Sequence, residues 1–292
     1  MIGSGLSNPE KELLRLLPRV LRARDYCLYT EGGKNQGRRF TDLWLQGGKA
    51  LLGHKAPGVV RELKNAAERG LFCSFPHPME QRFTKALEAI FPGHGFRLFG
   101  SESSLCHALD MAGFPAGNAC ANVCLWRPFE EKVPEMVSDT ISDGTIPDFL
   151  VPVLPWPLGP AVLVLDRGLD ASFPPGDIVS PVLLAPALRS LHDLIAAMKD
   201  KKKDRGRPRY PKIDRVFARQ KSGGIWRRQG IYLYADCDME TEKYASLFRF
   251  FLEGGFLIPP SPLDPLILPG EMSAGEEAKL ACLLAKSGAV NP

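Results

Sequence analysis

GRRFTDLWLQGGKALLGHKAP, residues 37–57, strings together a glycine turn, an aromatic and an Asp at Phe40-Thr41-Asp42, an apolar run broken by Gly47-Gly48, and Gly53-His54 just before Pro57. From Pro57 onward the pattern is regular. Pro57 to Gly70 reads as a helix: Pro stands near its first turn, Val59/Val60, Leu63 and Ala66/Ala67 form an apolar face, and Gly70 is a stop. Met79, Phe83, Ala86/Leu87 and Ile90 give a second helix, ended by Pro92-Gly93. Phe96–Phe99 is then a short strand running through GSESS into an apolar helix, Leu105–Ala112. A strand, a small-residue turn and a helix together form a candidate anion cradle.

Further along, Ala161–Leu165 (AVLVL) has no polar interruption, as expected of a central strand covered on both faces, and ends at Asp166. Val182–Met198 reads as a helix, Ile231–Tyr234 as a strand, Glu240–Glu253 as an amphipathic helix, Gly255–Ile258 as a strand and Ala274–Lys286 as a closing helix. Strands alternating with helices predict an α/β chain.

With 292 residues, 45% of them hydrophobic, the chain has enough apolar surface for one large or two moderate domains. Its start has no basic region followed by an apolar one, and charges interrupt each apolar run short of a membrane span, so a cytoplasmic, non-membrane protein is expected. Seven cysteines without regular spacing fit thiols in a reducing compartment. Cys120 and Cys124 lack a second Cys/His pair nearby, so no metal site is expected.

The net charge of +4 is unevenly spread. Residues 199–228 carry thirteen Lys/Arg against three Asp, a local +10 that leaves the remainder at −6. Such a run with two prolines reads as a solvated linker or loop. Its aromatics, Tyr210, Phe217 and Trp226, are too sparse for a nucleic-acid module, and nucleic acid is not the expected partner.

In order and spacing these elements resemble the class III aminotransferases, and within them the glutamate-semialdehyde aminomutase branch of the fold-type-I pyridoxal phosphate enzymes. The match rests on Gly37, Phe40-Thr41-Asp42, Gly47-Gly48 and Gly53-His54-Lys55-Ala56-Pro57 near the N-terminus, and on Leu252-Glu-Gly-Gly-Phe-Leu-Ile-Pro-Pro-Ser261 near the C-terminus. It covers both ends well and the middle poorly. The resemblance implies a reduced aminotransferase-like large domain with a small α+β C-terminal domain. The corresponding division is a lead-in at 1–56, a large domain at 57–198, a basic linker or loop at 199–222 and a small domain at 223–292.

The resemblance also assigns site residues. The family's phosphate-binding turn falls on Gly100-Ser101-Glu102-Ser103-Ser104, where Gly100, Ser101, Ser103 and Ser104 are the candidate cofactor groups; a Ser-rich helix cap is the other reading. Trp126 stands where the family stacks an aromatic on the pyridine ring, and a core tryptophan is the other reading. Asp166 stands at a strand end, where the family's Asp holds the pyridinium nitrogen, or acts as a turn former.

The Schiff-base lysine has no counterpart. From Val133 through Met198 there is no lysine, and only fourteen residues separate Asp166 from Pro181 where the family inserts the lysine-bearing strand. Arg167 and Arg189 stay protonated and do not replace it. Lys49, Lys55 and Lys199–Lys203 lie in charged surroundings without a sign of a depressed pKa. A serine hydrolase is also not expected, because Ser101, Ser103 and His107 lack a Gly-x-Ser-x-Gly elbow. His54 and His77 read as structural or exposed.

The sequence thus predicts a degenerate aminotransferase or aminomutase homologue. Pyridoxal phosphate, if held, is held non-covalently, and no catalytic residue is assigned. The alternative is a structural or regulatory subunit pairing with itself or with an active relative; a small amino compound is the substrate only if activity survives.

Overall fold

A computed structural model of the chain describes residues 6–32, 37–114, 123–130, 149–170, 173–203, 209–219, 224–236 and 239–289. Cys120, the 131–148 stretch and parts of the basic segment, 204–208 and 220–223, lie outside the described residues. In chain order the elements are α1 (Asn8–Arg15), β1 (Val20–Arg24), β2 (Cys27–Thr30), β3 (Arg39–Asp42), α2 (Pro57–Glu68), α3 (Met79–Glu88), β4 (Gly95–Phe99), α4 (Glu102–Met111), β5 (Val123–Trp126), β6 (Phe149–Pro152), β7 (Ala161–Leu165) and α5 (Arg167–Asp170). They continue with α6 (Pro181–Lys203), α7 (Pro211–Arg219), β8 (Trp226–Gln229), β9 (Tyr232–Ala235), α8 (Thr241–Glu253), β10 (Phe256–Leu257), β11 (Leu266–Ile267) and α9 (Ala274–Lys286). Two compact units result, one of Ala56–Lys201 and one joining Leu6–Lys55 to Lys202–Pro292.

The Ala56–Lys201 unit is built on a four-stranded sheet of order β4-β7-β6-β5. β7 is central as its composition predicts, with Val162 to Leu165 at most 1% exposed. It runs antiparallel to both neighbours, while β5 and β6 are parallel. Pleating sends Leu163 and Leu165 to one face, where they join Phe99, Leu105 and Leu109 with Phe149, Val151 and Phe173. Phe114 packs edge-on against Phe149 at 4.7 Å between ring centres. α6 is long and apolar enough to cross a membrane by length and composition. Here Leu184, Ala187, Leu191 and Leu194 are buried, so its apolar face is a core face.

The second unit needs both ends of the chain. β3 pairs with β2 on one side and on the other, in parallel, with β10, so the N-terminal strands are completed by Phe256 and Leu257. A second sheet has the order β11-β9-β8, and α8 buries Tyr244, Leu247, Phe248 and Phe251. Trp226 meets Phe251 edge-on at 6.0 Å and donates its indole N–H to Ser287 Oγ at 2.9 Å. α1 and α9 both open on capping boxes, Ser7 with Glu10 and Ser273 with Glu276.

The 37–57 stretch forms a buried turn in this unit. Leu45, Gln46, Gly47 and Gly48 all have positive φ, at 47°, 49°, 69° and 109°. A β-carbon is strained in that region, and the glycine pair relieves only half of it. Asp42 holds the rest: Oδ1 accepts the N–H groups of Trp44 and Leu45, and Oδ2 accepts His54 Nε2–H at 2.9 Å. The Asp42 side chain is 3% exposed, so this carboxylate is buried with its hydrogen-bonding capacity filled.

The basic segment corrects the expectation of a linker or loop across 199–222. Residues 199–203 finish α6, and Pro211–Arg219 is the helix α7, with Ile213 fully buried. Its first N–H groups, from Lys212 and Ile213, are accepted by the buried Glu277 carboxylate of α9. Tyr210 is buried as well, and its hydroxyl donates to Pro269 O at 2.6 Å. An apolar stripe of only three residues, Ile213, Val216 and Phe217, is outnumbered by charge in any window sum, yet it suffices once α9 offers a surface to cover it.

Candidate functional site

β4, β5 and β6 all end at the same edge of their sheet, and β7 begins there, because Phe99 pairs with Ala161, Trp126 with Pro152, and Leu150 with Val164. The turns Gly100–Ser104, 127–130 and 153–160 therefore share the carboxyl edge, the place where sheets of this kind receive ligands.

Gly100 N–H donates to Asp177 Oδ2 at 2.9 Å. Asp177 comes from the stretch 173–180, which lies along β4: its own N–H donates to Leu98 O at 2.8 Å, and Arg97 donates to the carbonyls of Phe173 and Pro174. The approach is close enough to require glycine at 176, where a β-carbon would lie 2.8 Å from Leu98 N. Ser101 caps α4, its hydroxyl accepting Ser104 N–H at 3.1 Å, and the Ser101 and Ser104 hydroxyls are themselves 3.1 Å apart. Ser103 is exposed, and Glu102 adds a further carboxylate in the first turn. The helix-cap reading describes this turn: Gly100 N–H is engaged by a carboxylate and Ser104 N–H by the cap.

Trp126 is half-buried and stacks edge-on with Phe91 at 5.0 Å, a core arrangement. Asp166 is exposed and accepts Gly168 N–H at 2.8 Å, the turn-forming role. It also lies at the opposite end of β7 from Gly100, since Leu165 pairs with Gly95. Five strand residues at about 3.3 Å each place the two about 16 Å apart, more than a pyridine ring and its phosphate arm can bridge. The structure thus brings Gly100, Ser101, Ser104 and Trp126 to one edge and leaves Asp166 at the other.

Sequence reading misses two groups at the carboxyl edge. Arg127, directly after β5, is 8% exposed and is the buried charged side chain of this unit among the described residues. A guanidinium has only donors, so it does not accept a pyridinium N–H as a carboxylate does. Trp156, in the turn between β6 and β7, buries an indole N–H that has no hydrogen-bond partner. Neither stands in a recognisable motif, and only strand order and direction bring them to the same edge of the sheet as Gly100. Asp177 could have drawn attention through its Pro-Pro-Gly-Asp turn, but its partner lies 77 residues away.

No lysine occurs among the described residues of the three turns of the carboxyl edge, and Lys64, Lys85 and Lys199 are exposed on α2, α3 and α6. Among the described residues no group of three or more His, Cys, Asp or Glu is placed to hold a metal. His77 takes a capping role, Nδ1 accepting Met79 N–H at 3.1 Å.

Comparison with solved structures decides the fold. The omega-transaminase of Sphaerobacter thermophilus superposes with a TM-score of 0.64 at 12% identity, covering 99% of this chain and 98% of that one. Ornithine delta-aminotransferase of Plasmodium falciparum gives 0.62 at 14%, over 98% and 95%. The fold is aminotransferase-like. An acetylornithine aminotransferase from Elizabethkingia anophelis also matches, at 0.57 and 12% identity over 97% of this chain and all of that one. No protein-family model matches the sequence. In sequence the chain is similar to an uncharacterized protein of Treponema pallidum (strain Nichols), 26% identical over 301 residues that cover 89% of this chain and 92% of the other. It is also similar to an uncharacterized protein of Borreliella burgdorferi, 34% identical over 83 residues, 28% of this chain and 29% of the other.

One of the similar structures is a transaminase with pyridoxal phosphate bound. Gly100 and Asp166, which the resemblance assigns to that group, are not placed to hold it together: the Asp177 carboxylate is already on the Gly100 N–H, and Asp166 lies at the far end of β7.

Proposed function

We propose that this chain is a non-catalytic homologue of the class III aminotransferases, which keeps their fold without their amino-group transfer and acts by associating with a second copy or with an active relative. One observation carries the reading: the hydrogen bond from Gly100 N–H to Asp177. It sets an exposed carboxylate against the turn to which the resemblance assigns the cofactor phosphate, and like charges a few ångströms apart repel. Among the described residues of the adjoining turns there is no lysine to supply an amine for an imine either.

Support for association comes from the same edge. Phe72, Phe75, Leu158 and Ile178 are between 52% and 61% exposed. They are tied to one neighbourhood: Ser180 Oγ donates to Phe72 O, Ile178 follows Asp177, and Gly159 lies against Gly100 O. Large apolar side chains grouped in this way around a turn mark a surface meant to be covered.

Sedimentation velocity on the 32.1 kDa chain tests this, alone and mixed with an active aminotransferase of the same cell. The expected result is a dimer or a mixed complex that Phe72→Ser with Phe75→Ser weakens. A monomer in both experiments, at concentrations well above micromolar, contradicts it.

A further inference from the structure

We infer that the groove between α7 and α9 is a binding site for a small molecule bearing a diphosphate. The two helices run side by side in the same direction: Lys212 N–H meets Glu277 near their starts, while Val216, Arg219 and Ala285 meet near their ends. Between them is a cavity of about 350 Å³ lined by Lys212, Arg215, Val216, Arg219 and Ala285. That volume is within the range of small-molecule pockets.

The lining holds three cations and no acid. Lys212, Arg215 and Arg219 fall at i, i+3 and i+7, one face of α7, so each faces a like charge one turn away, an arrangement that disfavours the helix unless an anion intervenes. The acids of both helices are already committed elsewhere. Asp214 pairs with Arg228, Glu276 pairs with Arg39 and caps α9 through Ser273, and Glu277 accepts the first N–H groups of α7. Among the described residues neither Arg215 nor Arg219 has an ion-pair or hydrogen-bond partner, and both are exposed. Because Glu277 occupies the N-terminus of α7, its positive pole is not the attraction; the side chains are.

The spacing selects the ligand class. One helical turn sets Arg215 and Arg219 about 6 Å apart along the axis, close enough for two guanidinium forks to grip neighbouring phosphoryl groups; Lys212, whose ammonium donates to Ala274 O at 2.6 Å, adds charge at the margin. Val216 and Ala285 give a short apolar wall for the rest of a small molecule. Among the described residues no aromatic side chain lines the cavity to stack a run of bases, which favours a small diphosphate over single-stranded nucleic acid. The groove belongs to the second unit and does not depend on the cofactor reading of the first.

Titration calorimetry of the full chain with inorganic pyrophosphate, and separately with adenosine diphosphate, tests the site. Saturable one-to-one binding of either probe is expected, weakened at least about tenfold by Arg215→Gln with Arg219→Gln. The charge-matched control, Arg69→Gln with Arg82→Gln on exposed positions of the other unit, should bind like the wild type. Both pairs are surface substitutions, and circular dichroism should show each variant folded. Tighter binding of the nucleotide than of pyrophosphate identifies the apolar wall as part of the site. No saturable binding of either probe, equal weakening in both variants, or binding confined to a single-stranded oligonucleotide overturns the inference.

Discussion

The carboxylate of Asp177 accepts the N–H of Gly100 at 2.9 Å, so the turn that opens α4 is closed by an acid supplied from the stretch laid along β4. If that acid is what excludes a phosphate, its removal should admit one. Asp177→Ala is expected to lower stability by about 1 kcal/mol, one hydrogen bond with a charged acceptor at an exposed site. It should also gain a phosphate-dependent rise in melting temperature that the wild type lacks. Equal stabilisation of both proteins by phosphate would sink the idea.

Gly176 is where the 173–180 stretch comes closest to β4. Gly176→Ala puts a β-carbon against Leu98 N and O, which forces the stretch off the strand. The expected loss is about 1–3 kcal/mol in urea unfolding, typical of overpacking. A loss below the error of the measurement would mean that the stretch is not held where the geometry puts it.

His54 and Asp42 should behave as one unit. Removing the histidine leaves a carboxylate oxygen at 3% side-chain exposure without its partner, so His54→Ala is expected to destabilise by about 1–3 kcal/mol. Asp42→Ala should destabilise more, since it also releases the N–H groups of Trp44 and Leu45 in a turn of positive φ. A double-mutant cycle that gives no coupling energy would contradict the pairing.

Glu276 makes part of the stability depend on acid pH. Burial by itself pushes its carboxyl up, but hydrogen bonds from Ser273, the Arg39 guanidinium and the Thr41 hydroxyl outweigh this and hold it below its ordinary 4.5. A depressed folded-state value means that the stabilisation is complete above the unfolded value and is lost as pH falls through the folded one. Glu276→Gln should therefore be less stable than wild type at pH 7, with the gap narrowing below about pH 4.5. A gap independent of pH would assign the effect to capping geometry instead of charge.

Much of the architecture is legible from residue patterns. α2, α3, α8 and α9 announce themselves through apolar spacing and their starts, and AVLVL is the buried central strand its composition implies. The α/β reading holds. The features that escape depend on partners distant in sequence. The strand at Gly255–Ile258 is legible but its parallel pairing with β3 is not, and α7 is hidden in a basic run until Glu277 and α9 stabilise it. The site fails for the same reason. Gly100 and Asp166 both look apt by sequence, but the antiparallel direction of β7 sends them to opposite ends of the sheet, and no local pattern encodes that direction. Asp177, the residue that decides the site's charge, becomes visible only once the 173–180 stretch is seen against β4.

The most direct test is to incubate the purified chain with pyridoxal phosphate, reduce with borohydride and map modified lysines by peptide mass spectrometry. The proposed non-catalytic reading predicts scattered, substoichiometric labelling of exposed lysines and no absorbance band of a bound imine. A single lysine labelled to one equivalent would contradict this and restore an aminotransferase with a relocated amine.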